Sequence, residues 1–293
     1  MGERLRALYV GKHGVRAGWR ILLWVLLFVA LGVVSGAGVR AAPTEAREWL
    51  SILSALGAAL AAGWIVLVAV DGRPPGALGF PLHREVPREA LWGFALGGGA
   101  IGLTTAMIVV TGGARWVPDT GGAAEYVRVL VAALGFFALA AAVEEVIFRG
   151  YPFQALVEGI GAWPATLLAS VGFSLLHAEN PGIGRLAFVN IFLAGVLLSV
   201  AYLRTRSLWF VTALHLGWNW TMAALLDFPV SGLMRDTPLY DAVERGPEWW
   251  TGGAFGPEAG FAATAVLVGA TVWFARSSRL AVHSTPVREN DED

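Results

Sequence analysis

Apolar positions in this chain gather into eight long runs: 21–39, 49–70, 90–114, 129–143, 160–176, 186–203, 207–226 and 259–275. A helix rises about 1.5 Å per residue, so about 20 apolar residues cross a hydrocarbon layer about 30 Å thick. The fourth run, extended from Glu125 to Arg149, reaches that length. The pattern therefore predicts an all-α fold, a polytopic transmembrane helical bundle of about eight spans. A signal peptide competes for the first run, but its apolar core spans only about 7–15 residues before a cleavage site. Run 21–39 is longer and other spans follow it, so it reads as a retained helix.

The connections carry their own signals. Prolines and mixed charges place 71–89 (DGRPPGALGFPLHREVPRE) outside the membrane. Segment 151–163 is mixed, and Pro152 ends or kinks the helix before it, so this piece lies along the interface or extends that helix. Gly97–Gly99 read as small residues that let helices approach closely. No strand–turn–helix context makes them a phosphate cradle.

The expected organisation is a basic cytoplasmic N-terminus at 1–20, spans one to three within 21–124, and a core of helices at 125–228. An extracytoplasmic loop follows at 229–257, then the last span at 258–276 and a disordered cytoplasmic tail at 277–293. Eight spans put both termini on one side. The basic N-terminus, Arg73, Arg84, Arg88, Arg204, Arg206, Arg276 and Arg279 then all fall inside, as the positive-inside rule requires. The other side holds 40–48, 115–119 and 227–257, whose charges largely balance.

Composition agrees with this reading. Of 293 residues, 56% are apolar and 15% charged, against about 25% charged in soluble domains. Mean hydropathy is +0.61. These values mark an integral membrane protein, expected in a prokaryotic cytoplasmic membrane. Net charge near −1 adds little, because placement matters more than the sum. The absence of cysteine excludes disulfides, thiol nucleophiles and thiolate metal ligands. No nucleic-acid motif or extended basic patch is present, so no nucleic-acid partner is expected, and nothing specifies an oligomeric state.

Three polar islands interrupt the runs. The first is Ala142–Gly150, AVEEVIFRG, with Glu144, Glu145 and Arg149. Ionisable groups at membrane depth are expensive and point to function. Adjacent helical residues diverge by about 100°, whereas residues four apart share a face. Glu145 and Arg149 are thus expected to pair and support the local structure, while Glu144 faces a cavity suited to proton transfer. The second island is His177, one turn after Phe173, placed to share a water with Glu144. The third is His215 with Asn219 in LHLGWNW, two donors on one face able to stabilise charge on a carbonyl oxygen. Asn190, inside run 186–203, is a supporting candidate, with ordinary packing equally open. Headgroup anchoring, an interfacial histidine and interhelical hydrogen bonds are the bland readings of the three islands.

EEVIFR, FSLLH and HLGWN fit E-E-x-x-x-R, F-x-x-x-H and H-x-x-x-N in order. Together they resemble the CPBP family of intramembrane glutamic endopeptidases, which includes type II CAAX prenyl proteases and bacteriocin-processing or immunity proteins. The resemblance covers roughly Glu144–Asn219. It implies that Glu144 and His177 activate a water against a peptide carbonyl, that His215 and Asn219 stabilise the oxyanion, and that Glu145 and Arg149 position the site. It implies no cofactor or metal. The partner it implies is a peptide or membrane-associated protein, cut near its C-terminus after a prenylated cysteine in family members with known substrates. Three other readings stand beside this one: a zinc metallopeptidase using Glu144, His177 and His215, which lacks an H-E-x-x-H helix; a proton-coupled transporter; and a non-catalytic partner or immunity protein.

Straight helices would leave a conflict. Glu144 and His215 would lie toward the cytoplasmic side and His177 nearer the far side. Bringing them together requires 160–164 to begin outside the membrane, or helices that tilt around a deep wet cavity.

Overall fold

The element that resolves this conflict is a break in the fourth helix, at Gly150. The computed structural model describes residues 9–11, 14–235 and 237–277. The expected basic residues Arg4, Arg6 and Lys12 and the expected disordered tail beyond Ser277 lie outside the described residues. Helix α1 (Ala17–Ala41) pairs with α2 (Thr44–Ala69), and α3 (Val86–Val110) follows. Helix α4 (Ala123–Arg149) stops at Gly150 and α5 (Tyr151–Ile160) continues the chain. Pro152 in the first turn of α5 has no N–H with which to continue the α4 ladder. A Cβ at position 150 would lie 2.3 Å from the Val146 carbonyl oxygen, so only glycine fits the break.

Helices α6 (Ala162–Leu176), α7 (Arg185–Thr205), α8 (Leu208–Trp220, continued by a π turn at Thr221–Leu225) and α9 (Phe261–Arg276) complete the bundle. All eight apolar runs are thus helical. Among the described residues, five helical stretches are long and apolar enough to cross a membrane: α1, α2, α3, α4 continued through α5, and α7. Helices α6, α8 and α9 are shorter. Lipid-facing side chains such as Leu26, Val29, Val33 and Val34 of α1 remain exposed, as they would on a soluble protein only at great cost.

The tightest contact lies between α3 and α8. A Cβ at Gly97 would sit 1.9 Å from the Leu214 carbonyl oxygen, and one at Gly93 would sit 2.4 Å from that of Phe210. Gly217 returns the contact against Phe94. Bare backbone on both helices is what permits this approach, as in other small-residue membrane interfaces. Gly97 and Gly98 thus do what the glycine cluster suggests, while Gly99 faces open space.

The bundle has two dissimilar ends. One, the terminal end, carries the start of α1, the 70–85 connection, the α5–α6 corner and the end of α9. There Arg20, inside α1 rather than before it, donates to Asp71 at 3.1 Å and Glu158 at 2.8 Å, and Tyr151 donates to Asp71 at 2.9 Å. The other, the loop end, carries the α1–α2 turn, the α6–α7 loop and a long cap between α8 and α9. The cap is ordered. Strand β3 (Ala114–Pro118) pairs antiparallel with β4 (Tyr240–Glu244), from Ala114↔Glu244 to Pro118↔Tyr240. A two-residue hairpin, β1 (Val10–Gly11) and β2 (Gly14–Val15), precedes α1. Asp227 accepts the backbone N–H groups of Thr237 and Ala242, both at 2.9 Å, which fixes the cap on the end of α8.

Candidate active site

Arg149, the last residue of α4, lies deep inside the bundle. It is fully buried, and its Nη2 donates at 2.8 Å to the carbonyl of Gly195, the midpoint of α7. Helix α4 therefore ends halfway along α7, and α5 covers the remaining depth to the terminal end. This brings Glu144 level with the C-terminus of α6, where His177 caps the helix. The conflict between straight rods arose from treating 125–149 as a complete span.

The adjacent glutamates part as helical geometry demands. Glu145 is fully buried; its Oε1 takes Arg149 Nη1 at 3.2 Å and also His215 Nδ1 at 2.9 Å. The second of these bonds was not expected from the sequence, which offered only the Arg149 partner four residues away. Arg149 is further held by Ser199 Oγ at 3.4 Å and lies 4.7 Å over the Phe173 ring. Glu144 points the other way, into a cavity. Its Oε2 has no hydrogen-bond partner in the protein and lies 3.9 Å from His177 Nε2 and 3.8 Å from His215 Nε2. These separations exceed a direct hydrogen bond but join three polar atoms at one point.

The opposite ring nitrogens decide what faces that point. His177 Nδ1 lies 2.8 Å from the Phe173 carbonyl oxygen. A carbonyl only accepts, so Nδ1 carries the proton, and in the neutral ring Nε2 presents a lone pair toward Glu144. His215 Nδ1 donates to Glu145, so its Nε2 offers a proton only when the ring is an imidazolium. Asn219, one turn after His215 on α8, lines the same cavity. Among the described residues, no group of three or more histidine and carboxylate side chains is arranged to hold a metal ion.

The cavity has a volume of about 530 Å³ and mostly apolar walls from α2, α4, α6, α7 and α8. Residues 126–221 match a family described as Rce1-like, the type II CAAX prenyl endopeptidase Rce1-like family. Over that stretch the chain is similar to the CAAX protease family. The match covers about a third of the chain and contains every candidate residue named above. No curated protein matches it. The members that this description names are prenyl endopeptidases, and the matched stretch here lies within an integral membrane protein.

One titratable cavity residue beyond the matched stretch is a carboxylate. Glu258, on a turn just before α9, is 5% exposed and lines the cavity with Glu144. Its Oε2 accepts from Ser231 Oγ at 3.1 Å. Burial pushes this carboxyl above its ordinary range, partly offset by His177, Ser231 and His215. Asn190 explains how the turn is held: its Nδ2 donates to the carbonyls of Glu258 at 2.7 Å and Gly260 at 2.9 Å, and its Oδ1 accepts from Thr264 at 2.7 Å. Sequence motifs missed Glu258 because it stands apart from all three islands. One signal was available: it is the last charge before apolar run 259–275.

Proposed function

We propose that this protein is an intramembrane endopeptidase that hydrolyses a peptide bond with a water activated by Glu144 and His177. The observation that carries the reading is the convergence of the partnerless Glu144 Oε2 on Nε2 of His177 and His215 at 3.9 and 3.8 Å. A water there meets two acceptors, the Glu144 carboxylate and the His177 lone pair, which together orient its oxygen for attack. Glu144 takes one proton as the oxygen bonds to the scissile carbonyl carbon. His215, as an imidazolium held through Nδ1 by Glu145, and Asn219 donate to the oxyanion that forms. Collapse of the tetrahedral intermediate breaks the C–N bond, and Glu144 returns its proton to the departing amine.

The scissile segment must be unwound, since helical carbonyls are already bonded within the helix. It is a chain terminus or an unfolded stretch of a membrane-associated protein, prenylated or not, and the host membrane is a prokaryotic cytoplasmic membrane. The test is turnover of a panel of quenched peptides, some prenylated at cysteine, by purified protein in detergent. Glu144-dependent cleavage supports the reading. A folded wild-type protein that cleaves none of the panel, and whose Glu144→Gln variant retains its biological effect, would overturn it.

A further inference from the structure

The cavity reaches one end of the bundle only. Toward the loop end its lining runs through Ser51 near the start of α2, Asn180 of the α6–α7 loop, and Ser231, Leu233 and Glu258 of the cap. Toward the terminal end, none of the lining residues comes from 70–89, 150–164 or 203–208 among the described residues. Glu145 and Arg149 at the end of α4 and Phe153 of α5 are buried and do not line the cavity.

The two ends also differ in charge. Of the 21 lysines and arginines, 13 stand in sequence next to helix ends at the terminal end: Arg4, Arg6, Lys12 and Arg16 before α1 and Arg20 in its first turn, Arg73 and Arg84 before α3 and Arg88 in its first turn, Arg204 and Arg206 at the end of α7, and Arg276, Arg279 and Arg288 at and after the end of α9. Seven lie toward the loop end, and Arg149 is internal. Around α1 the asymmetry is sharpest, with five basic residues before it or in its first turn and only Arg40, in its last turn, and Arg47, in the first turn of α2, at the other end. Orientation follows the lysine and arginine count of short flanking segments, and the first helix usually dominates.

We infer that the cavity opens to the extracytoplasmic side, and that the substrate is a segment of an exported or membrane-inserted polypeptide lying just outside the bilayer. The substrate class rests on the peptidase reading; the direction of opening does not. A protein lipidated in the cytoplasm is anchored in the inner leaflet, so its terminal peptide meets the sealed, basic end. The mouth fits an extended apolar segment better than a highly charged one: Ile52, Phe136 and Leu233 line it, with Arg235 stacked 3.6 Å over the Phe136 ring and paired to Glu48 at 2.8 Å.

The chain contains no cysteine, so single cysteines can report each end against a silent background. Leu233 at the cavity mouth is 57% exposed and Leu82 in the 70–85 connection is 88% exposed. With a membrane-impermeant maleimide on intact cells, Leu233→Cys is expected to label at once and Leu82→Cys only after permeabilisation. The reverse pattern overturns the inference, as does labelling of Leu82→Cys in cells whose cytoplasmic control cysteine stays unlabelled. The substrate class is tested with a peptide that the purified protein cuts in a Glu144-dependent manner, fused outside or inside a single anchoring helix. Cleavage of the outside fusion alone is expected. Cleavage of the inside fusion, or of neither, overturns it. If no peptide is cut in detergent, the peptidase reading and the substrate class drawn from it fail, while the labelling still decides the direction of opening.

Discussion

Glu145 Oε1 accepts from His215 Nδ1 at 2.9 Å, across 70 residues of sequence, while the same oxygen holds Arg149 at 3.2 Å. One carboxylate thus neutralises a buried guanidinium and fixes the orientation of a cavity-facing imidazole. Removing one partner of a fully buried ion pair typically costs about 3–5 kcal/mol, because the other charge is left unpaired. Glu145→Ala is therefore expected to lower the unfolding midpoint in detergent sharply. Glu145→Gln keeps an acceptor for His215 and is expected to lose less stability but most turnover. Equal midpoints for the wild type and the alanine variant would show that Arg149 finds compensation elsewhere.

Glu144 makes no such structural bond, so its replacement should separate chemistry from folding. Glu144→Gln and His177→Ala are each expected to reduce peptide turnover by about 10²–10⁴-fold, the usual worth of a positioned acid or base. The Glu144→Gln unfolding midpoint should stay near that of the wild type. A strong chelator should leave wild-type turnover unchanged; its abolition would turn the same three side chains into metal ligands.

Asn190 acts through the turn that carries Glu258. Asn190→Ala removes donors to two carbonyls and an acceptor for Thr264, a loss of about 1–3 kcal/mol for the buried groups left unpaired. Hydrogen exchange at 257–264 should rise in this variant while exchange in α8 stays protected. Protection unchanged at the turn would mean that Asn190 merely fills space.

The cap has a pH dependence of definite sign. Burial raises the carboxyls of Asp227, Glu244 and Glu258 above their ordinary values. The folded cap therefore holds protons more tightly than the unfolded chain does, and its stability falls as pH rises through the folded values. Limited proteolysis within 227–260 is expected to slow as pH drops from neutral toward the ordinary carboxylate range. Glu258→Gln should flatten that slope, and faster proteolysis on acidification would reverse the assignment.

Close backbone approach sets the last expectation. Gly97→Leu pushes a side chain into the Leu214 carbonyl, where even a Cβ would lie 1.9 Å away. Overpacking typically costs about 1–3 kcal/mol, and here α3 and α8 must separate bodily. Thermal unfolding should fall accordingly, while Gly99→Leu, facing open space, should leave it near the wild-type value.

Much of this arrangement is legible in the chain because lipid restricts the options. Apolar runs must be helices, and Glu144 and Glu145 must diverge on one. The depth of the site was not legible, because whether Pro152 ends, tilts or only kinks a helix depends on the crowding of Val146 against Gly150. The β3–β4 ribbon was hidden for a related reason: ARWVP and YDAVE lie more than a hundred residues apart, and neither alternates strongly enough alone. Glu258 was missed because its neighbours in space, Ser231 and Asn190, are remote in sequence.

The mid-bundle end of α4 also governs biogenesis. A charged residue at the centre of an isolated helix costs about 2.5–3.5 kcal/mol to insert, and α4 carries Glu144, Glu145 and Arg149 to that depth. Their partners emerge later: the Gly195 carbonyl and Ser199 with α7, then His215 with α8. The nascent helix must stay beside water or the insertion machinery until those arrive. Completion of the membrane fold and completion of the proposed site are then one event, so an unfinished chain has no assembled site.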